Sequence, residues 1–169
     1  MQIRQPHRTL HDRERLLQRW EIGYLETVRP RLHPTTWRLP TDTSLDELYE
    51  RARSLPDVLV SGENAAAALN RYLKPGSLTL HVAPTETKRA AVELRLRPGD
   101  AGAADVILID RFLPGLDRAE PATVAQARTP IAHPNLARAE LLALGSDRLR
   151  AVADRLRDDL ILPGLRDDA

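Results

Sequence analysis

The sequence predicts an α+β fold, a mainly antiparallel sheet of about four strands packed with four to five helices. Three observations point to it. Apolar residues recur at helical spacing near both ends, in Leu16, Leu17, Trp20, Tyr24, Leu25 and Val28 and again in Leu149, Val152, Ala153, Leu156 and Leu160. The middle carries short stretches that alternate, or are apolar throughout, as strands do. Turn chemistry separates these stretches, with Pro75-Gly76 and Pro98-Gly99 at the joints.

Met1 to Arg8 lacks periodicity, so it is expected to fray or form a short strand. The first helix follows, with Thr9 and Asp12 spaced as a capping box and Pro30 closing the run. Residues 31–43 contain Pro34 and Pro40 and predict an extended connector. Ser44 with Glu47 marks a second helix start. Leu45, Leu48, Tyr49 and Ala52 share a face, and Pro56 ends the helix. Asp57 to Ser61 predicts a buried strand, and Gly62 turns the chain into a helix over Glu63–Leu73 whose alanines suit close packing.

After the Lys74–Ser77 turn, Leu78, Leu80 and Val82 alternate with Thr79 and His81. Val92, Leu94 and Leu96 alternate with Glu93, Arg95 and Arg97, as in a sheet with one wet face. Val106 to Ile109 is apolar on both faces and predicts a central strand. Leu113 to Arg128 has only a weak pattern and is expected to be loop. Two helices close the fold. One runs from Pro134 to Leu144 and stops at Gly145, a left-handed cap; Ser146 caps the other.

The chain has 169 residues, the usual size of one domain, long enough to bury roughly two thirds of its extended surface. Hydrophobic residues make up 42% and aromatics only 4%, so the core is aliphatic. With no cysteine there is no disulfide framework and no thiolate metal site. No apolar run approaches the ~20 residues that span a bilayer, and no signal pattern follows Met1. These features predict no membrane partner and, together with the likeness drawn below, a cytoplasmic protein. The net charge is +1, yet residues 1–38 hold eight arginines against Asp12, Glu14, Glu21 and Glu26. That excess is either a solvated basic arm or a phosphate-binding one.

Three ordered stretches carry a family likeness. The first runs from Leu16-Leu17-Gln18-Arg19-Trp20 through Tyr24 to Arg29-Pro30-Arg31-Leu32. The second is Ser61-Gly62-Glu63 through Tyr72-Leu73-Lys74-Pro75 to Leu78–Val82, and the third is His133-Pro134 with Glu140-Leu141-Leu142, Gly145 and Arg148. Over residues 10–161 the chain resembles the C-terminal domain of the AbiEi family, type IV toxin–antitoxin antitoxins and transcriptional regulators. Two positions depart from the pattern: Arg138 stands in place of an aromatic, and Glu140 in place of Asp. Larger relatives carry a winged helix ahead of this region. Residues 1–10 are too few for one and are expected to be its remnant, so winged-helix promoter binding does not carry over. The resemblance implies a binding module, with a cognate nucleotidyltransferase-like toxin or DNA as partner, and no cofactor.

The residues admit further chemistry only weakly. The unit from Ser61 to Val82 faintly resembles the opening of a nucleotidyltransferase, which needs two carboxylates at alternate strand positions to hold metal ions. Here those positions are Thr79 and His81, which cannot replace them. Ser61-Gly62-Glu63 falls at a predicted helix N-terminus, an anion site in principle. The simpler reading is that Ser61 caps its own helix and Glu63 offsets the dipole. His81, His133 and Glu140 match no zinc spacing, and no nucleophile elbow surrounds Ser61.

The chain is therefore expected not to be an enzyme. Its ligand- or partner-binding candidates are Ser61, Gly62, Glu63, Tyr72, Lys74, His81, His133, Glu140 and Arg148. Trp20 and Tyr24, one turn apart, suit core anchoring more than an exposed pair, while Arg13, Arg15 and Arg19 suit an acidic partner. Two alternatives stand beside the antitoxin-like reading. One is a nucleic-acid-binding protein using Arg4, Arg8, Arg13, Arg15 and Arg19. The other is an atypical phosphotransfer enzyme near Ser61.

Overall fold

A computed structural model of the chain describes residues 12–70, 73–100, 104–113, 117–119 and 130–163. The first helix, α1 (Arg13–Gly23), is capped by Asp12, whose carboxylate accepts from the Arg15 amide. Asp12 is thus the cap itself, one turn later than expected, and Thr9 lies outside the described residues. Pro30 does not close the run. A widened π-turn (Tyr24–Val28) leads into a 3₁₀ turn (Arg29–Leu32), which stops only at left-handed His33. Proline lacks the amide that an α-turn needs, and the change of turn type carries the chain past it.

Residues 31–43, expected to be a connector, contain strand β1 (Thr35–Arg38). Helix α2 (Leu45–Ala52) starts on the Ser44–Glu47 capping box, both halves of which are formed. Strand β2 (Leu59–Ser61) passes directly into α3 (Gly62–Asn70), and β3 (Leu78–Val82) follows the Lys74–Ser77 turn.

The next element differs most from expectation. Val92, Leu94 and Leu96 do not form a strand; α4 (Thr87–Glu93) ends within that stretch, Leu94 and Arg95 turn, and only Arg97–Pro98 pairs, as β4. Val92 is exposed, whereas Ala90, Ala91 and Leu94 are buried at helical spacing. Glu86 and Glu93 flank Arg89 at i−3 and i+4, which supports the helix. Left-handed Arg95 then turns the chain.

Strand β5 (Val106–Asp110) is central, as its apolar faces predict. Helices α5 (Pro134–Ala143) and α6 (Asp147–Leu156) follow, with Gly145 left-handed between them and Ser146 capping α6, and a π-turn (Arg157–Ile161) continues from α6. The five-stranded sheet has the order β2-β3-β5-β1-β4. All its pairs are antiparallel except β3 with β5, so the class is α+β.

Both faces of the central strands are covered. All five residues of β3 are buried, including Thr79 and His81, which the alternation places outward. His81 lies 3.9 Å from Glu140 of α5, so its face of the sheet meets that helix. By the pleat, Leu78, Leu80 and Val82 point the other way. Residues 134–156 supply much of the aliphatic core, including Leu136, Leu141, Leu149 and Leu156. Among the described residues, no helix is long and apolar enough to cross a membrane.

Candidate functional site

The Ser61-Gly62-Glu63 corner follows from one backbone requirement. Gly62 has φ +56°, and a Cβ there would come within 2.7 Å of the Thr79 hydroxyl, so glycine alone lets β2 turn straight into α3 beside β3. The corner delivers Glu63 into the interior with 3% exposure. Its carboxylate accepts from the Ser77 hydroxyl (2.9 Å), the Gly76 amide (3.0 Å) and the Arg148 guanidinium (2.7 Å). Glu63 therefore clamps the Lys74–Ser77 turn and the start of α6 together. Its bonds go to the protein's own donors, beyond a simple dipole offset. Ser61 does not cap its helix: its hydroxyl, like that of Thr79 across the strand pair, is buried with no hydrogen-bond partner among the described residues.

A second buried group gathers under α5. Glu140, 1% exposed, accepts from the Tyr24 hydroxyl at 2.5 Å and from Arg29 Nε at 3.0 Å. The π-turn and the 3₁₀ turn place Tyr24 and Arg29 side by side for this. Burial, reinforced by the Glu140 charge, pushes the Tyr24 phenol far above its ordinary range, so it stays a neutral donor. His81, fully buried, has no hydrogen-bond partner for either ring nitrogen among the described residues. Burial pulls its pKa below the ordinary value, against the opposing pull of Glu140, and keeps the ring neutral.

Two further charges are interior. Arg111 holds Asp117 through both carboxylate oxygens, at 2.5 and 2.8 Å, and the Asp117 carbonyl accepts from the His133 amide. Arg138, at the position where an aromatic is expected, pairs with buried Glu21, donates to the Ala153 carbonyl at 3.0 Å and reaches Asp154 at 3.4 Å. The guanidinium is held there by carboxylates from α1 and α6 that neutralise it.

The structure thus joins Glu63 with Arg148, and Glu140 with His81, across long sequence separations. His133 is not part of either group; its Nδ1 accepts from the Asn135 amide and caps α5. Lys74 is exposed. Tyr72, Arg4 and Arg8 lie outside the described residues. Arg13, Arg15 and Arg19 are exposed on α1. Sequence reasoning missed Arg29, Arg111, Asp117 and Glu21 as interior partners. Arg29 stands in a quoted motif, but Asp117 lies in a stretch that read as loop. No local pattern could pair Arg111 with it.

The surface beside α1 is of another character. Two clefts, with volumes of about 210 and 270 Å³, share Trp20 and Asn135. Phe112, Leu113 and Leu136 line the first; Leu16, Leu17 and Ile161 line the second. Trp20 stacks on buried Tyr24 with ring centres 5.4 Å apart and remains 37% exposed, so the two aromatics divide between surface and core. Among the described residues, no three His, Asp or Glu side chains converge as metal ligands would. A family described as "Transcriptional regulator, AbiEi antitoxin, Type IV TA system" matches residues 9–162. No match was found among curated proteins or among solved structures.

Proposed function

From a chain that belongs to the AbiEi family of type IV antitoxins and transcriptional regulators, we propose an antitoxin-like module that acts by binding a cognate nucleotidyltransferase-like toxin. One observation carries this reading. The two buried carboxylates of the family-like stretches are spent within the fold, Glu63 on Arg148 and the 74–77 turn, Glu140 on Tyr24 and Arg29. They make a scaffold, and the exposed apolar surface beside α1 is left to engage a partner. The family is one of regulators, not enzymes. The phosphotransfer alternative has no support at Ser61, whose hydroxyl is fully buried. The whole chain is read as one such C-terminal domain.

Nucleic-acid binding remains as a second reading because Arg13, Arg15 and Arg19 are all exposed on α1. The two readings separate on salt, since phosphate contacts release counterions and weaken steeply as salt rises. The test is to express the tagged chain in its own host and purify it with and without nuclease. A stoichiometric protein of nucleotidyltransferase type that survives nuclease supports the antitoxin-like reading. Nucleic acid alone, lost as salt rises, overturns it.

A further inference from the structure

His81 is buried completely and left unanswered. The residue is 0% exposed, and neither ring nitrogen has a hydrogen-bond partner among the described residues. A neutral imidazole carries one donor and one acceptor, and burying both unpaired costs free energy that an apolar side chain avoids. Packing by itself gives no reason for a histidine in the middle of β3.

Glu140 stands beside the ring. Its Oε1 lies 3.9 Å from His81 Nε2, just beyond hydrogen-bond reach. That oxygen is already engaged. It accepts from the Tyr24 hydroxyl at 2.5 Å and lies 3.2 Å from Arg29 Nε, which reaches Oε2 at 3.0 Å as well. If Oε1 turns to the ring, Arg29 keeps an acceptor in Oε2 and Tyr24 loses the one it has.

The charges on the surrounding elements leave this carboxylate as the ring's counter-charge. Beyond the end of β5, Arg111 and Asp117 answer each other through both carboxylate oxygens. Arg29 of the 3₁₀ turn opposes a proton on the ring. Strands β2 and β5 set uncharged Leu59 and Ile109 beside it. From α3, Glu63 turns to Gly76, Ser77 and Arg148, and Arg138 of α5 pairs with Glu21.

Tyr24 connects this interior to the surface. Its ring stacks on Trp20 with centres 5.4 Å apart and planes 8° from parallel, and Trp20 lines both clefts beside α1.

We propose that His81 is a proton-operated latch: when the ring takes a proton, Glu140 exchanges the Tyr24 hydroxyl for His81 Nε2, and the released phenol moves the Tyr24–Trp20 stack. The proton comes from solvent, and apart from the new N–H no covalent bond forms or breaks. The latch works on the acid side of neutrality, because burial opposes the charged ring. It acts on the surface that the antitoxin-like reading assigns to a partner, but its chemistry holds whatever binds there.

The test follows the His81 ring and the Trp20 indole N–H of the full chain by NMR as pH falls from neutral into the acid range. His81→Gln identifies the ring signal and Trp20→Phe the indole signal. Both should move with one midpoint while the Trp37 indole stays in place. Tyr24→Phe, which removes the competing hydroxyl, should raise that midpoint. Glu140→Gln, which removes the counter-charge, should lower the ring's proton affinity about tenfold or more. Should Glu140→Gln fail to fold, Tyr24→Phe decides alone, since it removes only one hydroxyl.

A Tyr24→Phe midpoint that is unchanged or lowered overturns the latch, and so does a Trp20 signal that ignores the His81 transition. Loss of all native signals together, before the ring titrates, overturns it in favour of plain acid unfolding.

Discussion

Glu63 of α3 and Arg148 of α6, 85 residues apart in sequence, meet at 2.7 Å directly over the Gly76–Ser77 turn. The contact is unequal. The Glu63 side chain is 4% exposed and the Arg148 side chain 55%, so the carboxylate depends on its donors far more than the guanidinium depends on it. A buried acceptor that loses its partners costs about 1–3 kcal/mol, and more when charged, whereas a solvent-facing cation that loses its carboxylate costs less than about 1 kcal/mol. Glu63→Ala also frees the Ser77 hydroxyl and the Gly76 amide.

Arg148→Ala leaves the buried Glu63 carboxylate without its counter-charge and should destabilise by about 1–3 kcal/mol, whereas Arg148→Ala/Glu63→Gln, which removes that charge while keeping an acceptor for Ser77 and Gly76, should recover part of the loss. Urea midpoints at unchanged slope measure both. A double variant as unstable as Arg148→Ala would show that the guanidinium does not answer the buried charge.

Gly62→Ala meets two obstacles at once, the positive φ and the Thr79 hydroxyl at 2.7 Å. The left-handed conformation alone costs about 1–2 kcal/mol for a residue with a Cβ. The substitution should cost more than that, and Thr79→Ala in the same chain should recover part of the excess but not the conformational share. Full recovery in the double variant would remove backbone strain from the account.

Arg138→Phe places an aromatic at this position but strands Glu21, whose side chain is 10% exposed. Breaking a buried pair by removing one partner costs about 3–5 kcal/mol, while replacing both with apolar groups is often neutral. Arg138→Phe should be strongly destabilising and Arg138→Phe/Glu21→Leu close to wild type by denaturant unfolding. A double variant as unstable as the single one would mean that shape, not charge, sets the preference at this position.

Burial lowers the His81 pKa from 6.5, with Glu140 and Asp117 opposing the shift and Arg29 and Arg111 aiding it. A base whose folded pKa is depressed leaves the unfolded chain holding the extra proton. Its contribution is intact above pH 6.5 and is lost as pH falls from there toward the folded value, with a slope of up to about 1.4 kcal/mol per pH unit. Unfolding free energies measured at steps from neutral pH to about pH 5 should show this loss. His81→Gln should flatten the slope. An unchanged slope in His81→Gln would assign the acid sensitivity elsewhere.

Much of the fold is legible in local chemistry. The Ser44–Glu47 box, the Ser146 cap, left-handed Gly145 and the apolar run of β5 each depend on a few neighbouring residues, and all form as the sequence predicts. Residues 92–97 are misread because a short alternating stretch fits either period. Which one wins depends on whether Val92 or Ala90 and Ala91 meet the core, and distant elements decide that. Residues 31–43 are misread because a four-residue strand gains its stability from β5 and β4, not from its own residues.

The candidate site divides in the same way. The sequence by itself determines the α+β class, several element boundaries, the aliphatic core and the family-like stretches that hold Glu63, Glu140 and Arg148. Only the tertiary structure decides that Glu63 answers to Arg148, Glu140 to Tyr24 and Arg29, and Arg138 to Glu21, or that Trp20 faces out while Tyr24 faces in. The physical reason is range. Caps and turns are settled by hydrogen bonds within a few residues, whereas a buried charge is stable only where a distant segment brings its counter-charge, and an exposed leucine or tryptophan becomes a surface only when other elements build the groove around it.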